Sequence, residues 1–383
     1  GKIISESGLL QKDIRSLGIA DDGTEAVAVT NDSLILFDTD SWETKKLFTY
    51  KLNFGWRSDA FWDAGYSPDG KKILASTYKG NPMLINPQSG LTEDSLKGDG
   101  EWLKFLEMSP DGKKLLAVTN SQQLMLGDWA THTKKIIPGA HEGVIKTARF
   151  SKDSKYFVTA STDNTCKIWN AAEGSLIATF FSVDTADYFV SLPGGYYQAS
   201  SAASKLLHYV TNNLETISFS QLDVKYNRPD KVLEAMGNTD TALIKSYRKA
   251  WEKRIKKLGI DTTQFRDGYS VPEADIVNRD SIDYEQKTGT LRLHIKGMDS
   301  TYQLDRVNVW VNESPLFGQR GIRIRKKNSN NFDTTITIQL SQGENRIETS
   351  ITNVNGTESY RMPLYVNNTP VVKQKEMTRT TSM

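Results

Sequence analysis

The chain has 383 residues, 48 basic and 46 acidic side chains, 38% hydrophobic content and one cysteine. That length leaves room for two or three domains, and the near balance of charge excludes a protein that depends on gripping a nucleic-acid backbone. A single cysteine excludes an intrachain disulfide framework or thiolate metal cluster, and no apolar run approaches the roughly 20 residues that cross a bilayer; we therefore expect a soluble, cytoplasmic protein without an integral membrane segment.

The first half is repetitive. Ser67-Pro68-Asp69-Gly70 recurs as Ser109-Pro110-Asp111-Gly112 and as Ser151-Lys152-Asp153-Ser154, in steps of 42 residues. Weaker copies flank them: Ala20-Asp21-Asp22-Gly23 and Leu192-Pro193-Gly194-Gly195. Each is a tight turn in which Pro presets φ and Gly accepts a positive φ. Three and one residues before the turns stand Leu17 and Ile19, Ala64 and Tyr66, Leu106 and Met108, Ala148 and Phe150, Phe189 and Ser191. Spacing of two predicts a strand with one buried face. Six residues past the turn origin, Ala26, Ile73, Leu115 and Phe157 open runs that read as central strands buried on both faces. A third strand follows, as in Leu34 to Asp38 and Cys166 to Asn170. Such small antiparallel sheets hide their apolar faces only by stacking on neighbours around an axis.

The best copy runs from Gly139-Ala140-His141 through Asp163 to Trp169-Asn170, and it resembles a WD40 repeat. The resemblance implies an all-β fold: a WD40-like β-propeller with at least five blades in view. It also implies a buried relay within one blade formed by His141, Thr159, Asp163 and Trp169. Phe37-Asp38 and Ile85-Asn86 stand where Trp-Asp belongs, so their blades should rest mainly on apolar packing. By the same columns Gly1 to Ile4 reads as the last strand of a preceding blade. That favours an upstream truncation over a closed ring of five in which this strand completes the final blade.

We divide the chain into blades over 1–225, a helical connector over 226–280, an Ig-like sandwich over 281–370 and a tail over 371–383. Tyr226-Asn227-Arg228-Pro229-Asp230 marks the break, with Asp230 able to cap the helix that begins there. Helices are expected at about 230 to 236 and 240 to 258. In the second, Ile244, Tyr247, Trp251, Ile255 and Leu258 share one face. Residues 245 to 257 also hold seven Lys/Arg and one Glu, read as a solvated face on a helix docked beside the propeller rather than a membrane or nucleic-acid surface. Alternating runs at Leu291 to Ile295, Val307 to Val311, Thr335 to Leu340, the stretch from Gly343, and Ser359 to Val366 after the Asn355-Gly356 hairpin predict the sandwich. The order of modules resembles the non-catalytic front of bacterial WD40 proteins that continue into a caspase-like peptidase domain. That resemblance implies a regulatory or sensor portion without its enzyme.

Chemistry is sparse. His132, His141, His208 and His294 are not paired at metal-ligand spacing, and Cys166, alternating with Ile168, is expected to be a buried, inert thiol. Gly194-Gly195 and Gly318 to Gly321 are misplaced for cradling a phosphate. We expect no catalytic residue, metal or cofactor. A hydrolase using the propeller funnel is the rival, and it requires converging carboxylates or a metal on the axis. Binding of a protein or peptide, not nucleic acid, is the favoured reading. Seven residues before the turns stand Asp13, Ala60, Trp102, Val144 and Thr185, a column expected to open onto a rim. Trp102, with Trp56 and Trp62, supplies the candidate contacts; Trp62 and Trp102 filling gaps between blades is the alternative.

Overall fold

Turn chemistry and strand alternation fix the first half of the computed structural model, which describes residues 13–50, 60–98, 100–210, 216–268, 270–325 and 328–369. Gly1 to Ile4, Trp56 and residues 371–383 lie outside that set. Two compact units are present, Gly1–Ser182 and Val183–Met383. The first contributes four strands to each of four antiparallel sheets, in simple chain order. They comprise β1 (Ser16–Ile19), β2 (Glu25–Val29), β3 (Ser33–Asp38) and β4 (Thr44–Thr49); then β5 (Phe61–Tyr66), β6 (Ile73–Thr77), β7 (Pro82–Ile85) and β8 (Thr92–Ser95). The third is β9 (Leu103–Met108), β10 (Lys114–Thr119), β11 (Leu124–Asp128) and β12 (Thr133–Ile137); the fourth is β13 (Ile145–Phe150), β14 (Tyr156–Ser161), β15 (Thr165–Asn170) and β16 (Leu176–Ser182).

One local device repeats at the turn between first and second strands. Ser67 Oγ donates to Asp69 (2.7 Å) while accepting from the Lys72 N–H (2.9 Å), and Ser109 with Asp111 and Ser151 with Asp153 do the same. Gly70 and Gly112 take φ of 67° and 73°; Ser154 adopts φ 59° in the equivalent place. A second device closes the third strand: Asp38, Asn86, Asp128 and Asn170 accept from backbone N–H groups two or three residues on. The short polar side chain at that column thus caps the next turn in every blade, whether or not a Trp precedes it.

The sheets stack face to face. Val27, Val29, Leu34 and Leu36 meet Phe61, Ala64, Ile73 and Ile85; Leu74 and Leu84 meet Leu115, Ala117 and Met125; Leu116, Val118, Leu124 and Leu126 meet Ala148, Phe157 and Trp169. First strands lie side by side, closely enough that a Cβ on Gly18 would stand 2.8 Å from Gly65 Cα. The four sheets are WD40-like propeller blades joined through their innermost strands.

Three expectations change at the ends of this stack. Leu17 and Ile19 are 52% and 55% exposed, because they alternate with Gly18 and point away from the second blade. β14 is not buried on both faces, since Val158 is 43% exposed. Cys166 is exposed rather than buried: Thr165 and Trp169 take the face toward the third blade, and Cys166 takes the opposite phase with Val158. One thiol per chain should therefore react with an aromatic disulfide reagent in the native protein without denaturant; labelling that waits for denaturant would contradict this placement.

In the second unit the fifth repeat keeps only its first hairpin, β17 (Tyr188–Ser191) and β18 (Tyr197–Ala199). A short helix α1 (Ala203–Leu206) follows, and β19 (His208–Val210) pairs with β20 (Thr216–Ser218) alone. Helix α2 (Phe219–Tyr226), unforeseen in the sequence, starts with Gln221 accepting from the Ser218 N–H at 2.9 Å. Helices α3 (Pro229–Ala235) and α4 (Thr241–Leu258) match expectation, and Asp240 caps the latter through the Leu243 N–H. Asp230 is not a cap. It is fully buried and takes a two-pronged contact from Arg228 at 2.8 and 2.6 Å.

The basic helix is held within this unit. Trp251 donates to the Val224 carbonyl (3.0 Å) and lies under Arg228. Of its basic side chains, Arg248 and Arg254 pair with Glu234 and Asp223, and Lys245, Lys249, Lys253, Lys256 and Lys257 are exposed. At its C-terminus Arg320, Arg306 and Arg323 donate to the carbonyls of Lys257, Leu258 and Gly259, cations at the negative end of the dipole. No helix among the described residues is long and apolar enough to cross a membrane.

The remaining strands are β21 (Glu273–Ile276), β22 (Glu285–Gln286), β23 (Thr290–Met298), β24 (Leu304–Val311), β25 (Ser314–Pro315), β26 (Ile322–Arg323), β27 (Asn331–Gln339), β28 (Gly343–Asn353) and β29 (Leu364–Asn368). They form sheets β21-β23-β27 and β22-β29-β28-β24-β25, with β26 also on β24. Leu293, Ile295 and Ile338 from one sheet share a core with Val307, Ile347 and Val366 from the other, which makes a sandwich. The strand expected from Ser359 resumes only at Leu364, after Pro363, which has no N–H to give a ladder.

Candidate functional site

A bulge places the first candidate side chain. In the second, third and fourth blades the innermost strand slips by one residue against its neighbour just after it begins. The extra residues are Trp62, Lys104 and Lys146, one repeat apart and five positions before the turn origin. A bulge re-aims its side chain away from the regular ladder, so Trp62 is turned out at the end of the sheets opposite the Pro-Asp-Gly turns. Arg15 occupies the same column in the first blade. Eleven residues past the origin, where the second strand ends, the corresponding column holds Asn31, Tyr78, Asn120 and Thr162. Its backbone N–H closes onto the column at minus seven: Tyr78 to Ala60 and Asn120 to Trp102.

These columns bring four side chains into one half-buried cluster. Trp62 and Trp102 lie with centroids 4.1 Å apart, inclined by 47°. Tyr78 stacks on Trp102 at 5.1 Å and meets Trp62 edge-on at 5.1 Å. The Arg15 guanidinium stands 5.2 Å from both the Trp62 and Tyr78 rings and donates to the Tyr78 hydroxyl (3.0 Å) and the Asn31 side-chain oxygen (2.6 Å). Neither indole N–H has an acceptor among the described residues. The cluster thus sets apolar ring faces beside unused donors, groups able to pack against apolar surface and to donate to an acceptor. Of the expected rim column, Trp102 joins the cluster and Ala60 is buried; of the two candidates named beside it, Trp62 joins the cluster and Trp56 is not described. Arg15 and Tyr78 were missed because attention to one column passes over its neighbours at minus five and plus eleven; the period itself carries them.

The second constellation is internal to the fourth blade. The Trp169 indole donates to Thr159 Oγ1 at 2.9 Å, Thr159 lies 2.7 Å from His141 Nε2, and His141 Nδ1 lies 2.9 Å from Asp163. Asp163 also accepts from the Thr165 hydroxyl and from the N–H groups of Thr165 and Glu142. A neutral imidazole protonated at Nδ1 satisfies the whole chain: indole to hydroxyl, hydroxyl to Nε2, Nδ1–H to carboxylate. Although hydroxyl, imidazole and carboxylate are ordered as in a nucleophilic relay, Thr159 is 1% exposed and its oxygen is already engaged by an indole.

Burial pushes the His141 imidazole below its ordinary 6.5, against the pull of Asp163. Burial acts to raise the Asp163 carboxyl, but its Thr165, His141 and backbone donors outweigh it and hold the group well below the usual carboxylate range. In the unfolded chain His141 takes a proton below about 6.5, whereas the folded imidazole resists it, so lowering the pH through that value favours unfolding. Asp163 adds a further loss as pH falls below its unfolded value of 3.8. The urea midpoint for exchange protection of β14 and β15 is expected to fall from about pH 7 to about pH 5, and less so in His141→Asn; a flat profile would contradict the neutral relay.

Residues 132–170 match the WD domain, G-beta repeat family. That span encloses the whole relay from His141 to Trp169. The chain is also 27% identical over 170 residues to the WD repeat-containing protein SL1-17 of Schistosoma mansoni, a match covering 44% of this chain and 53% of that protein. The matched region thus spans about half the length of the WD-repeat relative. Elsewhere, no group of three or more His, Cys, Asp or Glu side chains among the described residues comes together to hold a metal.

Proposed function

We propose that the chain is a non-enzymatic protein-interaction scaffold whose WD40-like blades bind an extended, acceptor-rich segment of a protein partner at Arg15, Trp62, Tyr78 and Trp102. The observation that carries this reading is the packing of three aromatic rings and a guanidinium into one half-buried cluster with two indole donors unused. Aromatic residues and arginine are the types that most often dominate binding energy, and loops on a rigid scaffold are where function concentrates. The His141 relay serves in this reading to hold the fourth blade, and the two-sheet core of the second unit supports reading that core as an Ig-like module.

The test is selection of peptides from a displayed library on the full chain, followed by affinity measurement. Trp62→Ala and Trp102→Ala are expected each to weaken a selected peptide by roughly tenfold or more, and Lys113→Ala at the opposite end of the third blade by less than twofold. Equal affinity for all variants, with the fold intact by circular dichroism, would remove the proposal.

A further inference from the structure

Strand β27 pairs with β23 over all nine residues without a register shift and with no other strand among the described residues. Half of its backbone N–H and C=O groups therefore face away from the sheet. Sheet edges are ordinarily blunted by lysine, proline, a bulge or short length. The opposite edge, β21, is four residues with two acids, and the second sheet ends in two-residue strands. By contrast β27 reads Asn-Phe-Asp-Thr-Thr-Ile-Thr-Ile-Gln, long and regular, with no lysine, proline or bulge and a single charge, Asp333. Its core-facing side chains record the open edge: Phe332 and Ile338 are buried, whereas Thr334 and Ile336 between them are only half-buried.

We infer that this edge is a docking site for β27 of a second copy of the chain, paired antiparallel about Thr335. That register sets Phe332 of one copy opposite Ile338 of the other, Thr334 opposite Ile336, Asn331 opposite Gln339 and Thr335 opposite itself. Aromatic with β-branched and Thr with Thr are favourable cross-strand pairs, and the half-buried Thr334 and Ile336 cover each other. Asp333, the strand's one charge, falls opposite Thr337 and is already matched on its own sheet by His294 (2.7 Å) and Lys296 (3.2 Å). A two-fold centred on Asp333 would oppose like charges, and one centred on Thr337 would leave the first residues unpaired. The contact is isologous, so it closes as a dimer and leaves no free copy of this edge.

Sedimentation of the full chain over about 1 to 100 µM is expected to show a reversible monomer–dimer equilibrium, as suits a small interface. Thr335→Lys, at an exposed position, sets two ammonium groups against each other and is expected to raise the dimer Kd by about tenfold or more. In a Cys166→Ser background, Thr335→Cys should cross-link into a covalent dimer on mild oxidation and Thr337→Cys should not. A wild-type chain that stays monomeric across that range, a Thr335→Lys variant that dimerises equally well, or equal cross-linking from both cysteine positions would each overturn the inference.

Discussion

Trp169→Ala is expected to destabilise the fourth blade by about 3–5 kcal/mol, the usual cost of removing a buried tryptophan. The side chain is 4% exposed, part of the core shared with the third blade, and parallel to Phe157 at 5.9 Å. Its loss opens a void on the stacking face and removes the donor that fixes the Thr159 hydroxyl. Trp169→Phe separates the two effects: most packing is kept, and only the indole hydrogen bond is lost, a cost of about 1 kcal/mol. Urea unfolding read by amide exchange across β14 and β15 measures both. Similar, small losses for the two variants would show that the indole does not anchor the blade.

Asp305→Ala is expected to cost the second unit about 3–5 kcal/mol, since it leaves a buried cation without its partner. Asp305 is 2% exposed and accepts from Arg306 Nε at 2.7 Å and from Arg325 Nε at 2.6 Å. Arg306, itself 3% exposed, uses its other nitrogen on the Leu258 carbonyl, so the same change loosens the C-terminus of α4. The loss should appear as reduced exchange protection in the last turn of α4 as well as in β24. A half-exposed pair at 3.5 Å gives the contrast: Glu107→Gln, beside the exposed Arg149, should change stability by less than about 1 kcal/mol. If Asp305→Ala behaved like Glu107→Gln, the buried cluster would not be holding helix to sandwich.

The blades were legible because stacking sheets demand a repeated code: a turn at fixed spacing, a strand of period two and an apolar central run. The Ser-Pro-Asp-Gly columns carried that code directly, and alternation likewise revealed β23, β24 and β27. The features that stayed hidden depended on which neighbour covers a given face. Leu17, Ile19, Val158 and Cys166 obey the alternation, yet they lie on the outward faces of the end sheets, a fact that no local pattern encodes. Asp230 looked like a cap because it follows Pro229; its bidentate Arg228 contact depends on the helices around it. Asp305-Arg306 reads as ordinary surface charge until the end of α4 is placed over it. At the rim, Trp102 was visible in its own column, while Arg15 and Tyr78 belong to columns whose side chains differ from blade to blade. Their meeting is set by the bulge at Trp62 and by the adjacency of innermost strands.

The central claim, that the aromatic cluster is where a partner sits, is tested most directly by site-specific photocross-linking in the full chain. A benzophenone amino acid replacing Lys104, the exposed neighbour of Trp102 in β9, should attach covalently to a peptide selected on the wild-type protein. The same photoprobe at Lys113, at the other end of that sheet, should give none. Attachment from Lys113 with none from Lys104 would contradict the claim.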